Sequence, residues 1–156
     1  MMRLKILWPG KTKNRDIRNL QDFYLERINR LAPCEIVQTK DARGIEEKYS
    51  DKVKEIEAKG LEKHFKDDYI ICLFDGGKKM SSPEFARMLK ELGSNATRGV
   101  VFVVGGFLGL SDGILERANF LLSLSKMTFS HELSRIILLE QIYRALALSR
   151  GRQYAK

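Results

Sequence analysis

Cysteine, proline and histidine are scarce: 156 residues include two cysteines, three prolines and two histidines. With only Cys34 and Cys72, a disulfide framework is excluded. Both lie in apolar strand-like runs, where a free thiol behaves as a small hydrophobe. The histidines, His64 and His131, have no cysteine or carboxylate partner at ligand spacing, so no metal site is expected. No apolar run approaches the ~18 residues of a membrane span. The segment Met1 to Pro9 lacks the apolar region and small-residue cleavage site of a secretory signal. A cytoplasmic protein without membrane contact is therefore expected. No repeat, low-complexity stretch or Pro/Gly-rich linker divides the chain, so residues 1–156 read as a single domain of common size. A chain of this length buries roughly 68–70% of its unfolded surface and needs no covalent staples.

Familiar catalytic motifs are missing too. Gly76-Gly77-Lys78-Lys79 lacks the leading glycine and following Ser/Thr of a P-loop. Gly105-Gly106-Phe107-Leu108-Gly109 does not have the spacing of a dinucleotide fingerprint and follows a late strand. Without a Gly-x-Ser-x-Gly elbow, a hydrolase triad has no sequence support.

What is plentiful is positive charge, and it is unevenly placed. The chain holds 28 Lys+Arg against 20 Asp+Glu, a net charge of +8. Residues 1–30 contain eight basic side chains and three acidic ones; residues 144–156 contain four basic and none acidic. The middle is almost neutral, with sixteen basic and seventeen acidic. Two basic ends around a neutral body suit a polyanion such as nucleic acid, although solvated helix faces would look the same.

Strand and helix patterns alternate. Leu4–Trp8, Glu35–Thr39, Tyr69–Phe74, Val100–Val104 and Asn119–Leu124 read as strands. Helices are predicted over Arg15–Leu31, Gly44–Lys59 (with Gly60 closing it), Ser82–Leu92 and Ser130–Ser149. The unbroken apolar runs YIICLF and VVFVV mark strands buried on both faces, so the class is α/β with a largely parallel sheet. The last helix is apolar on more than one side, which predicts a subunit interface. Ligands of open α/β sheets bind beyond the carboxyl ends of the strands. Three segments fall there: 75–79, 105–109 and 125–128. His131 and Arg135 stand four residues apart at the start of the last helix and share a face.

Val101-Phe102-Val103-Val104-Gly105-Gly106, Gly109-Leu110, the stretch Leu122 to His131 and Glu140-Gln141-Ile142-Tyr143-Arg144-Ala145 resemble the small SPOUT-class methyltransferases of the RlmH (YbeA) type. The resemblance spans the chain and includes Gly10-Lys11 and the Phe74-Asp75 to Ser81-Ser82 segment. It implies a Rossmann-like parallel-sheet sandwich with a C-terminal trefoil knot, assembled as a homodimer. It also implies transfer of a methyl group from S-adenosylmethionine (SAM), without a metal, to N3 of a pseudouridine in large-subunit (23S) ribosomal RNA. Carried over by residue, it places Leu73, Gly105, Leu124, Ser125, Lys126, Met127, Thr128 and Phe129 at the SAM pocket.

Chemistry then assigns His131 as base, with Arg135 or Lys156 stabilising developing negative charge. Tyr154 is expected to stack on an unpaired base. Lys11, Lys13, Arg15, Arg18, Arg144, Tyr154 and Lys156 are the expected RNA contacts. Two positions depart from the family pattern: Ala155 in the tail, and Glu132 after His131, where the helix dipole favours an acid. The absence of an appended RNA-binding domain points to an assembled ribosome as substrate. Two other readings share the basic ends: a SPOUT enzyme with a different RNA target, and a non-catalytic ribosome-binding protein.

Overall fold

Successive side chains of a strand point to opposite faces of its sheet, and here both faces are apolar. In the computed structural model, which describes residues 2–42, 44–95 and 98–151, β1 (Leu4–Pro9) turns Ile6 and Trp8 to one face and Leu7 to the other. β4 (Val100–Val103) splits in the same way: Phe102 joins Ile6 and Trp8, and Val101 and Val103 join Leu7. β2 (Cys34–Thr39), β3 (Tyr69–Lys79) and β5 (Phe120–Ser123) complete a five-stranded sheet of order β2-β1-β4-β3-β5, parallel throughout.

Helices cover each face. α1 (Arg15–Asn29), α3 (Ser82–Ser94) and α5 (His131–Ser149) pack on the Trp8–Phe102 side through Ile28, Phe85, Leu89, Leu138 and Ile142. α2 (Ser50–Glu62) and α4 (Asp112–Arg117) cover the other side through Ala58, Leu61 and Ile114. This is the sandwich expected from the apolar runs. Ser81 and Ser130 cap α3 and α5, accepting from the N–H groups of Glu84 and Leu133, as their position before each apolar stripe predicts. Cys34 and Cys72 are buried free thiols, and burial pushes both up to about 12.

Most bounds shift by one or two residues, and three departures are larger. The second helix does not run from Gly44 to Lys59. A 3-10 turn over Glu47–Tyr49 precedes α2, which continues through Gly60 to Glu62. Gly60 has ordinary room around it, and continuing the helix sinks Leu61 and the following Phe65 to 1% and 0% exposure. β3 does not stop at Phe74: it passes an irregularity between Leu73 and Lys78 and pairs again with β5. Gly77 permits that second pairing, because a Cβ there would lie 2.7 Å from the Leu121 carbonyl. α4 is an addition to the predicted set; Ser111 caps it and Ile114 buries it.

Candidate active site

Beyond the carboxyl ends of β4 and β5, beside the irregularity in β3, lies a cleft of about 370 Å³, within the ~300–1,000 Å³ range of small-molecule sites. Leu73, Phe74 and Asp75 of β3 form one wall, the 104–110 segment another, and Leu122, Leu124, Ser125, Met127, Thr128 and Phe129 a third. Gly105 makes this shape possible. The chain doubles back so tightly that a Cβ on Gly105 would sit 2.7 Å from the carbonyl carbon of Gly109. A turn in which the Gly109 N–H donates to the Gly106 carbonyl at 3.0 Å closes the hairpin, and Gly109 takes φ +86°. The 124–129 segment is shaped by its serines: Ser123 Oγ donates to the Ser125 carbonyl, and the Met127 N–H donates to Ser125 Oγ, both at 3.0 Å.

A second cleft, of about 280 Å³, opens between the 9–13 segment after β1 and the 106–108 segment after β4. Gly106, Phe107, Leu108 and His131 line both clefts. Arg135 forms part of the second and is 1% exposed. Its guanidinium donates to Thr12 Oγ1 and to the Pro9 carbonyl, each at 2.9 Å, and lies 4.6 Å from the centre of the Trp8 ring. Burial draws Arg135 down to about 10, against the opposing pull of Glu132, Asp41 and Glu57, so it stays cationic at neutral pH. Glu57 is 6% exposed; its Oε2 accepts from the Ala42 N–H at 3.3 Å, while Oε1 has no hydrogen-bond partner among the described residues. Burial raises the Glu57 carboxyl above its ordinary value. Gly106 gives this carboxylate its space, since a Cβ there would lie 3.0 Å from Oε1.

Glu132 accepts from the backbone N–H groups of Lys13 and Asn14 at 2.9 and 3.0 Å, tying the start of α5 to the segment before α1. Partial burial works to raise its carboxyl, but these two bonds together with Arg135 and His131 outweigh it and hold the group below the usual range. His131 is held below its ordinary value by burial and then by Arg135 and Lys13, so its imidazole is neutral at physiological pH. Its ring stands at 87° to that of Phe107, with centroids 6.2 Å apart.

Of the residues singled out from sequence, Leu73, Gly105, Leu124, Ser125, Met127, Thr128, Phe129 and His131 gather around the first cleft, and Lys126 does not line it. Lys11, Lys13, His131 and Arg135 gather around the second. Arg15 and Arg18 are exposed at the start of α1. Arg144 pairs with Glu140 at 2.7 Å and lines neither cleft. Tyr154 and Lys156 lie outside the described residues. Lys54 and Glu57 were not singled out, and Asp75 and Phe107 were included only as members of the 75–79 and 105–109 segments, without a role. Glu57 had a signal: Val53, Glu57 and Leu61 recur at four-residue steps on the buried face of α2, which puts an acid in an apolar stripe.

The family model described as "Predicted SPOUT methyltransferase" matches residues 2–155. The chain belongs to the SPOUT methyltransferase family. Among its curated relatives, a protein named ribosomal RNA large subunit methyltransferase H from Clostridium beijerinckii is 37% identical over 159 residues, covering 99% of this chain and 100% of the relative. One of the same name from Thermodesulfovibrio yellowstonii is 40% identical over 154 residues, covering 99% of each. Among solved structures, a Bordetella pertussis protein described as a probable methyltransferase superposes with TM-score 0.60 at 12% identity, covering 93% of this chain and 95% of that one. A Legionella pneumophila protein described as a "putative methyltransferase", with the cofactor SAM bound, gives 0.51 at 14% identity, covering 92% and 66%. At such identities the likeness shows the SPOUT fold alone. Among the described residues of this SPOUT chain, no group of three or more His, Cys, Asp or Glu side chains is placed to hold a metal ion. No described helix is long and apolar enough to cross a membrane.

Proposed function

We propose that this SPOUT methyltransferase transfers the methyl group of SAM to N3 of a pseudouridine in large-subunit (23S) ribosomal RNA. The reading extends to a single 1–156 domain with a C-terminal trefoil knot, acting in the cytoplasm as a homodimer on the assembled ribosome. The observation that carries it is full-length identity of 37–40% to proteins named ribosomal RNA large subunit methyltransferase H, joined to a strand-end cleft of small-molecule size.

The first cleft fits SAM. Leu73, Leu124 and Met127 offer apolar surface for an adenine, and the bent 124–129 backbone offers N–H and C=O groups for its edge. Gly105, Gly106 and Gly109 present backbone without side chains, so a ligand can approach closely there. Lys54 and Asp75 supply one charge of each sign for an amino-acid end. Bound SAM supplies an activated methyl, so the protein chiefly has to align donor and acceptor. His131, neutral and on the border of both clefts, is placed to take the imide proton. Arg135 keeps a fixed positive charge beside it. Lys11, Lys13, Arg15 and Arg18 extend a basic surface from the second cleft along α1, and Arg144, Tyr154 and Lys156 are read as further RNA contacts. Exposed Leu133 and Leu148 on α5, with Leu20 and Phe23 on α1, supply apolar surface for a second copy.

Calorimetric titration with SAM tests the reading. Saturable binding is expected, with affinity unchanged and ribosome methylation lost when Gln153 to Lys156 are removed. No heat at millimolar SAM would overturn it.

A further inference from the structure

Resting on the methyltransferase reading, we propose that the second cleft is the acceptor-base site, in which an unpaired uracil-type nucleobase stacks on Phe107. Phe107 is 70% exposed, an unusual position for a large apolar ring. It sits on the turn closed by the Gly109-to-Gly106 hydrogen bond, so its placement is set by backbone geometry instead of by core packing. His131 meets it perpendicularly, and among the described residues no ring or guanidinium is stacked parallel on it. Exposed aromatic faces of this kind are how proteins grip unpaired RNA bases.

The position of the cleft points the same way. β1 and β4 are neighbours in the sheet, but the helices that follow them, α1 and α4, pack on opposite faces. Such a switch point opens a ligand crevice at the strand ends. Lys11 and Lys13 stand at this crevice, as backbone phosphates require. Its residues include two polar side chains more than nine-tenths buried, Glu57 and Arg135, and each has an atom without a hydrogen-bond partner among the described residues: Oε1 of Glu57 and Nε of Arg135. Gly106, Phe107, Leu108 and His131 border both clefts, so a base stacked on Phe107 adjoins the methyl-donor site.

The test is steady-state transfer of tritiated methyl from SAM to ribosomes that lack the modification. Phe107→Ala should raise the KM for ribosomes at least tenfold, within the range of a lost stacked base. The ring also borders the first cleft, so the variant's SAM affinity should fall, but by far less than the KM rises. Its melting temperature should not move, because the ring is exposed. Phe107→Tyr should restore the wild-type KM and Phe107→Leu should not, since only a flat ring stacks. A wild-type KM for Phe107→Ala, equal performance of the leucine and tyrosine variants, or a loss of SAM affinity matching the loss of transfer would overturn the proposal while leaving the methyltransferase reading intact. A wild-type protein that neither binds SAM nor labels ribosomes would overturn that reading, and this inference with it.

Discussion

Replacing Gly105 by alanine perturbs the hairpin that separates the two clefts, and its effect follows from three distances. The new Cβ would lie 2.7 Å from the Gly109 carbonyl carbon, 2.8 Å from Gly109 Cα and 3.1 Å from the Leu110 nitrogen. All three are backbone atoms, so no rotamer change relieves the clash and the 105–110 segment must move outward. Overpacking of this kind costs about 1–3 kcal/mol, a fall in Tm of about 2–12 °C for a chain of this size. Because the displaced segment walls the first cleft, SAM affinity should drop at least tenfold, or about 1.4 kcal/mol. Gly109→Ala is the control. No atom lies within 4 Å of its Cβ, but its φ of +86° imposes backbone strain of about 1–2 kcal/mol. That variant should lose comparable stability with a smaller loss of SAM affinity. Thermal denaturation and calorimetry on both variants give the comparison. Wild-type SAM affinity in Gly105→Ala, or a larger affinity loss in Gly109→Ala, would refute the reasoning.

Arg135→Lys removes the forked contact with Thr12 and Pro9 and the stacking on Trp8, which a lysine cannot reproduce. The expected cost is about 2–4 kcal/mol, read as a Tm drop of several degrees; a shift below about 1 °C would show that the guanidinium does not hold the 9–12 segment to α5. As the proposed base, His131 would work in the neutral form, and burial holds it below its ordinary value. The rate should therefore be flat through neutral pH and fall on an acid limb centred below 6.5. Protonation of His131 also favours the unfolded chain, so stability declines with falling pH over the same limb. His131→Asn should abolish that limb and slow transfer about 100-fold or more, and an acid limb centred above 6.5 would contradict the assignment.

The sheet was legible because its strands are apolar on both faces and each helix carries a stripe or a cap. α4 escaped notice because six residues are too few to display a period. The strand-end glycines of 105–109 led to the first cleft directly, since tight backbone approach leaves a mark in sequence. The second cleft leaves little beyond the acid in the apolar stripe of α2. Pro9–Lys13, Asp41, Glu57 and Glu132–Arg135 are far apart along the chain, and the strand order together with the packing of α2 and α5 on opposite faces brings them together. Arg135 and His131 were read as one helix face, and both do reach the second cleft. That the arginine is already engaged by Thr12, Pro9 and Trp8 depends on packing that spacing cannot express. Glu132 illustrates the same limit. Its place in the first turn of α5 was explicable by the helix dipole, but its bonds to Lys13 and Asn14 span more than a hundred residues.

The proposed reaction is methylation of N3 of a pseudouridine in 23S ribosomal RNA. Nucleoside mass spectrometry of 23S RNA from a strain deleted for the chain, and from the same strain with it restored, reads out that reaction in the cell. N3-methylpseudouridine should disappear on deletion and return on restoration, but not when Gly105→Ala is supplied instead. An unchanged level of the methylated nucleoside in the deletion strain would contradict the account.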